Sequence, residues 1–109
     1  MHDAVVEGNK GLPRKKMELP GGAAIWLVSI DQRQKQLALT YEIVGVSPTV
    51  FDQSTYQEWR QESLEAFRVR CRAPELANML RQGMTIAHIY RVRQTGKTLA
   101  IFVFSQRDC

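Results

Sequence analysis

Apolar and polar positions alternate along the first half of the chain in a way that is typical of strands. Residues 24–30 form a run of strand length. In residues 37–43 every odd-numbered position is apolar or aromatic, while the positions between are small or polar. A period of two indicates a half-buried strand, so these runs predict two strands. The polar stretch between them, residues 31–36, predicts the turn of a hairpin.

The pattern then changes to a helical one. Through residues 55–70, Trp59 and Phe67 fall on one broad face, which predicts an amphipathic helix. Ser54 followed by Gln57 has the form of a capping box, in which each side chain bonds a free backbone N–H group at the helix start. We therefore expect this helix to begin close to Ser54.

A second helix and a second hairpin complete the pattern. Pro74 suits the first turn of a helix, since its missing N–H group would be unpaired there, and Gly83 suits the stop that follows the last turn. Two further runs, residues 84–92 and 97–105, flank Gly96, which suits a tight hairpin turn.

The predicted element order is therefore ββααββ. This order indicates an α+β fold, with a four-stranded antiparallel sheet and two helices on one face. Residues 1–22 contain four glycines, two prolines and a basic cluster, and they predict a flexible N-terminal arm. Residues 23–109 have the length of a single domain.

The last predicted strand is apolar on both of its faces, because residues 99–104 contain no polar side chain. Two helices cover only one face of a sheet, so the second face needs a cover of its own. The N-terminal arm, a second copy of the chain and a partner protein are the three candidates. The candidate interface takes apolar residues from the first and last strands: Trp26, Val28, Ala100, Phe102 and Phe104.

The basic residues of the chain suggest a second possible function, which is the binding of an anionic partner. The 109 residues carry a net charge of +4 at pH 7. The basic side chains of the second half form a candidate anion-binding surface, which consists of Arg68, Arg70, Arg91, Arg93 and Lys97. If they share one face, they suit nucleic acid or an acidic partner in the cytosol. The alternative is solvated charge that maintains solubility, and no standard nucleic-acid-binding signature is present.

Motifs for catalysis or cofactor binding are weak. Residues 95–98 read Thr-Gly-Lys-Thr, but a phosphate-binding loop also needs a glycine where Arg91 stands and a helix where a strand is predicted. His88 and Cys71 have no third group to orient them as a catalytic pair. The cysteines and histidines lack metal-ligand spacing, and no apolar run is long enough to span a membrane. We expect a protein that is not an enzyme and binds no metal or cofactor.

Two cysteines remain to be explained. Cys71 lies one helical turn after Phe67, and Cys109 is the last residue of the sequence, shortly after the final strand. A bridge would join the helix junction to the end of the sheet, while the alternative is two unrelated thiols. A bridge would indicate an oxidising compartment.

The C-terminal half also carries a pattern of cysteine, short helix, glycine, tyrosine, glycine and a closing Asp-Cys. Its residues are Cys71, Pro74, Leu80, Gly83, Tyr90, Gly96, Phe102, Asp108 and Cys109. This pattern, over roughly residues 64–109, resembles the C-terminal half of small uncharacterised exported bacterial proteins. The resemblance implies an exported ββααββ protein with its two cysteines paired, and it brings no catalytic residues.

These observations predict a small periplasmic or secreted interaction module that dimerises or binds a protein partner through the free sheet face. Residues 1–11 lack the basic and then apolar layout of a signal peptide, so we expect no leader within this sequence. The alternative is a cytosolic nucleic-acid or acidic-partner binder, which would keep its thiols free.

Overall fold

A computed structural model describes residues 11–45 and 52–109 of the chain. It is an α+β fold with a five-stranded sheet and two helices. The elements are β1 (Arg14–Glu18), β2 (Ala24–Arg33), β3 (Gln36–Val44), α1 (Gln53–Arg70), α2 (Pro74–Arg81), β4 (Thr85–Val92) and β5 (Thr98–Phe104).

The sheet has the order β1-β2-β3-β4-β5 and is mixed. The neighbours β3 and β4 run parallel, whereas the other three pairs are antiparallel. The α+β class with two helices is confirmed, whereas the predicted sheet lacked one strand, and the pair β3 and β4 is parallel rather than antiparallel.

Helix lengths explain the direction of β4. With 18 residues, α1 extends about 27 Å and carries the chain back along the sheet. With 8 residues, α2 extends only about 12 Å, too short to return the chain a second time. The chain therefore enters β4 at the end of the sheet where β3 began, and this crossover makes the two strands parallel.

The additional strand is β1, which lies within the predicted arm. It pairs antiparallel with β2 at the sheet edge, and the register shifts between Lys15 and Met17. All five of its residues are exposed, so no buried alternation marked them as a strand. The other part of the predicted arm, residues 1–10, lies outside the described residues.

The first predicted hairpin is confirmed, but its turn is shorter than expected. The strands β2 and β3 continue to the pair Arg33 and Gln36, which leaves only Gln34 and Lys35 in the turn. Gln34 adopts φ 53°, a left-handed conformation that is uncommon for a residue other than glycine. The polar residues around the turn are exposed strand ends that extend beyond the core.

The two helices begin and end at identifiable signals. Asp52 caps α1, since its Oδ1 accepts a hydrogen bond from the Thr55 backbone N–H at 2.9 Å. The capping box predicted at Ser54 is therefore wrong, and the N-cap lies two residues earlier. The stop predicted at Gly83 is confirmed. Gly83 has φ 88°, and the N–H groups of Gly83 and Met84 bond the carbonyls of Leu80 and Met79.

One apolar core lies between the helices and one face of the sheet. Leu64 and Phe67 of α1 and Leu80 of α2 belong to it. The sheet contributes the side chains that point towards the helices, among them Ile25, Leu27, Tyr41, Ile43, Ile86, Tyr90, Ala100, Phe102 and Phe104. Both helices therefore lie on the same face of the sheet, as predicted.

A disulfide closes the fold. Cys71 follows α1 directly and is bonded to Cys109, with the two Cα atoms 5.7 Å apart. The end of the chain is also held by hydrogen bonds: the Ser105 backbone N–H donates to Asp108 Oδ2, and Arg68 Nε donates to the Asp108 carbonyl. The helix junction is thus fixed to the end of β5.

Candidate functional site

A groove opens between α1 and the sheet face that the helices cover. It has a volume of about 630 Å³, which is within the range of sites that bind small molecules or short segments. Its sides come from β1 and α1, and its floor comes from β2, β3 and β4. The residues that line it are Arg14, Lys16, Met17, Ile25, Leu27, Leu37, Leu39, Tyr41, Trp59, Glu62, Ser63, Ala66, Phe67, Val69, Arg70, Leu76, Ile86, His88 and Tyr90.

The floor of the groove is mainly apolar. Leu37 and Leu39 of β3 point towards the helices but are only half-buried. Val69, near the end of α1, is 83% exposed at the edge of the groove. Apolar side chains that line a concave surface are typical of a binding site, because a ligand that covers them removes their surface from water.

An aromatic cluster forms the middle of the floor. The rings of Tyr41 and Tyr90 are stacked with centroids 4.6 Å apart, and Trp59 lies tilted 5.2 Å from Tyr90. Lys16 reaches over this cluster from β1. Its Nζ lies 4.4 Å from the centroid of the Tyr41 ring and donates a hydrogen bond to the Tyr90 hydroxyl at 2.8 Å. These contacts join the edge strand to the floor.

Tyr41 also shares a hydrogen bond with His88, since its hydroxyl lies 3.0 Å from His88 Nδ1. Burial, with a smaller effect from nearby Lys16, lowers the pKa of His88 to about 4. Burial likewise raises the pKa of Tyr41 above its ordinary value. Both groups are therefore neutral at pH 7.

Charged side chains surround the groove unevenly. Three cationic residues, Arg14, Lys16 and Arg70, line it together with one carboxylate, Glu62. Arg14 and Arg70 lie close enough to Tyr41 to favour its ionised form electrostatically. Within the described ranges, neither arginine forms an ion pair.

The structure divides the predicted interface residues between two faces. Ala100, Phe102 and Phe104 lie in the core beneath α1, so these three are corrected: they cannot form a free face. The exposed apolar side chains of β5 are instead Ile101 and Val103, at 52% and 48%. A strand that is apolar on both faces does not reveal which face the helices will cover.

The other two predicted interface residues, Trp26 and Val28, are half-buried on β2. The Nζ of Lys15 lies 5.7 Å from the Trp26 ring centroid. The indole of Trp26 is therefore partly covered by the chain itself.

The predicted anion surface is not one surface. Arg91 and Arg93 both bond Glu42, at 3.0 and 3.1 Å. Burial alone would raise the pKa of Glu42, but these two partners together lower it. Arg91 follows Tyr90, whose side chain points towards the helices, so Arg91 points to the opposite face of the sheet.

The remaining basic residues are dispersed. Arg68 bonds the Asp108 carbonyl, Arg70 lines the groove, and Lys97 lies in the exposed turn before β5. The structure therefore does not bring the five predicted cations together. The cytosolic alternative also predicted free thiols, whereas both cysteines are bonded to each other.

The pair of Cys71 and His88 that the sequence offered for catalysis is not available in the structure. Cys71 is bridged, so it is not a nucleophile beside His88. In residues 11–45 and 52–109 no three His, Cys, Asp or Glu side chains are grouped to hold a metal ion. Neither helix of this described portion is long and apolar enough to cross a membrane.

Sequence reasoning missed the groove itself. Its key contact joins Lys16 to Tyr90, which are 74 positions apart in the chain. The one available signal was the basic cluster at residues 14–16, which was interpreted as part of an arm.

Comparison with known proteins shows similarity of fold. No protein-family model matches the chain, and no curated protein matches it. A "putative secreted protein" from Pseudomonas aeruginosa has a similar structure, with a TM-score of 0.78 and 16% identity, over 99% of this chain and 88% of that one.

Two pilotins of type II secretion systems are also similar. The pilotin from Vibrio vulnificus gives a TM-score of 0.64 at 16% identity, over 98% of this chain and 86% of its own. The pilotin from Vibrio cholerae gives 0.61 at 12% identity, over 98% and 86%. The chain therefore shares its fold with a secreted-type protein and with pilotins.

Proposed function

We propose that this protein is a non-enzymatic binding module of an extracytoplasmic compartment, and that it holds a segment of another protein in the groove between α1 and the sheet. The observation that carries this proposal is the incomplete cover over the floor. Leu37 and Leu39 are only half-buried, and Val69 at the edge is 83% exposed. A bound segment would bury these side chains together.

The disulfide and the structural neighbours support the compartment and the type of activity. A disulfide persists in oxidising environments such as the periplasm or the extracellular space. Cys71 and Cys109 form one that joins distant parts of the chain. The neighbours are a "putative secreted protein" and two secretion-system pilotins, which favours export and a protein partner over catalysis.

Site-specific photo-crosslinking tests the groove. A photoreactive residue at position 69 lies at its edge, whereas one at Arg60 lies on the same helix but outside the groove lining. The experiment uses bacteria that export the protein to their envelope. We expect a defined crosslink to another protein from position 69 and none from position 60.

A blocking variant serves as the second control. Ala66 is exposed and lines the groove, so Ala66→Trp should fill it without disturbing the core. This variant should abolish the adduct from position 69. Equal adducts from both positions, or an adduct that survives the block, would contradict the proposal.

The outer face and the free edge of β5 form a second candidate surface, through which two copies would associate. Ile101 and Val103 are exposed there on an edge strand that contains no charged residue. Uncharged edges favour pairing with a second strand. Analytical ultracentrifugation should show a dimer that Val103→Lys dissociates; a monomer at all concentrations would dismiss this surface.

A further inference from the structure

The charge distribution of the groove is the feature that goes beyond a simple apolar site. Three cations and one carboxylate line it, and the neutral His88 adds no charge at pH 7. The groove therefore has an excess of positive charge above an apolar floor. Such an excess attracts an anionic group, because charges of one sign that line a concave surface add their potentials there.

The three cations are not equivalent. Lys16 is already engaged by the Tyr90 hydroxyl and by the rings of Tyr41 and Tyr90. Arg14 and Arg70 have no such hydrogen bond or ion pair within the described part of the chain, and both lie electrostatically close to Tyr41. They come from different elements, since Arg14 begins β1 and Arg70 ends α1.

We propose that the segment held in the groove carries a carboxylate, which binds between Arg14 and Arg70 while its neighbouring apolar side chains cover Leu37, Leu39 and Val69. This inference rests on the proposed function and gives its partner a chemistry: an acidic, apolar stretch of polypeptide. Guanidinium groups suit carboxylates because they donate two parallel hydrogen bonds.

The carboxylate of Glu62 affects which class of anion the groove can bind. It lines the same groove, so a polyanion or a doubly charged phosphate would meet its negative charge. A single carboxylate is repelled by Glu62 less than a polyanion is, because it carries only one negative charge, and the two arginines can compensate it. The lining therefore favours a carboxylate side chain of a protein over nucleic acid or a phosphate-bearing lipid.

Selection from a random peptide library on the intact, oxidised protein tests the inference. Ala66→Trp serves as the counter-selection target, because it blocks the groove. We expect the enriched peptides to combine leucine-type residues with Asp or Glu, and to compete with one another for one site.

Three outcomes are informative. Enrichment of apolar peptides with an acidic residue supports the inference. Enrichment of apolar peptides without one overturns the carboxylate site and leaves the proposed function standing. No enrichment over Ala66→Trp overturns both.

Variants of the arginines provide the quantitative test. The affinity of a selected acidic peptide should fall about tenfold in Arg14→Gln or Arg70→Gln. It should stay unchanged in Arg60→Gln, which alters an exposed arginine of the same helix outside the groove. The same peptide with its acid replaced by the amide should bind wild type and both arginine variants alike. Equal affinity of wild type for acid and amide peptides would overturn the site.

Discussion

Two side chains that lie in one row of the sheet experience very different surroundings. Leu37 of β3, Ile86 of β4 and Phe104 of β5 are aligned across the sheet and point to the same side. Phe104 is fully buried and stacks on Phe67 of α1 with centroids 5.4 Å apart. Leu37 is only half-buried, although it is as apolar as its neighbours.

The next row repeats the difference. Leu39, His88 and Phe102 are aligned in the same way. Phe102 is buried and packs edge-on against Tyr56 of α1, whereas Leu39 is half-buried in the groove. We call the helix-covered face of β5 the closed side and the corresponding face of β3, at Leu37 and Leu39, the open side. The position of α1, rather than the hydrophobicity of the side chains, therefore decides which of them stabilise the core and which remain available for binding.

The largest expected effect is on the closed side. Phe104→Ala should lower the free energy of unfolding by about 4 kcal/mol, because it leaves a cavity in a fully buried site. Leu37→Ala is the matched change on the open side and should cost about 1 kcal/mol, since water already reaches that side chain. Urea denaturation measures both. Similar costs for the two variants would remove the distinction between the sides.

Loss of the disulfide should have the next largest effect. Cys71→Ser combined with Cys109→Ser should lower the free energy of unfolding by about 3 kcal/mol, because the bridge closes a long loop in the unfolded chain. It should also loosen α1 over the closed side. Reduction of the wild-type protein is the control and should give the same loss; an unchanged unfolding midpoint would show that packing alone holds the helix junction.

Acidification should act through His88, which lies on β4 between the open and the closed side. The pKa of His88 is about 4 in the folded protein, against 6.5 ordinarily, so the unfolded chain binds a proton more readily. Stability linked to His88 is fully present above about pH 6.5 and declines as the pH falls towards 4. The expected loss at pH 4.5 is on the order of 2 kcal/mol.

His88→Gln isolates this contribution from other groups that titrate in acid. The difference in stability between wild type and this variant should shrink from pH 7 to pH 4.5, as measured by urea denaturation at each pH. A constant difference would mean that His88 titrates normally.

The smallest expected effect concerns the two neighbouring lysines of β1. Lys16→Met removes the hydrogen bond to Tyr90 and the contacts with two rings, and it should cost about 1 kcal/mol. Lys15→Met is its control, since Lys15 has an exposed ion pair with Glu18 and a longer contact with the Trp26 ring, and its loss should cost about 0.5 kcal/mol. A reversed order would show that β1 is not held by the groove floor.

Much of the local structure was predictable. Four of the five strands and both helices follow from the apolar periods, and Pro74 and Gly83 mark the bounds of α2. The position of Cys71 one turn after Phe67 left both a bridge and two separate thiols possible, and the resemblance to exported bacterial proteins implied the bridge that the structure has. By contrast, β1 has no buried residue, so its pairing with β2 left no pattern in the sequence to detect.

The candidate site was much less predictable than the elements that form it. The two faces of β5 are both apolar, so the choice of Ala100, Phe102 and Phe104 as interface residues was a choice between equivalent patterns. The groove depends on contacts such as that of Lys16 with Tyr90, which no local period records.

Side-chain pattern and turn chemistry act over a few residues, and they were sufficient to specify four of the five strands, both helices and the bounds of α2. The direction of β4, the face of β5 that α1 covers and the groove that remains over β3 were decided by packing. The physical reason is that a helix covers only part of a five-stranded sheet, and its length and direction set which part remains open.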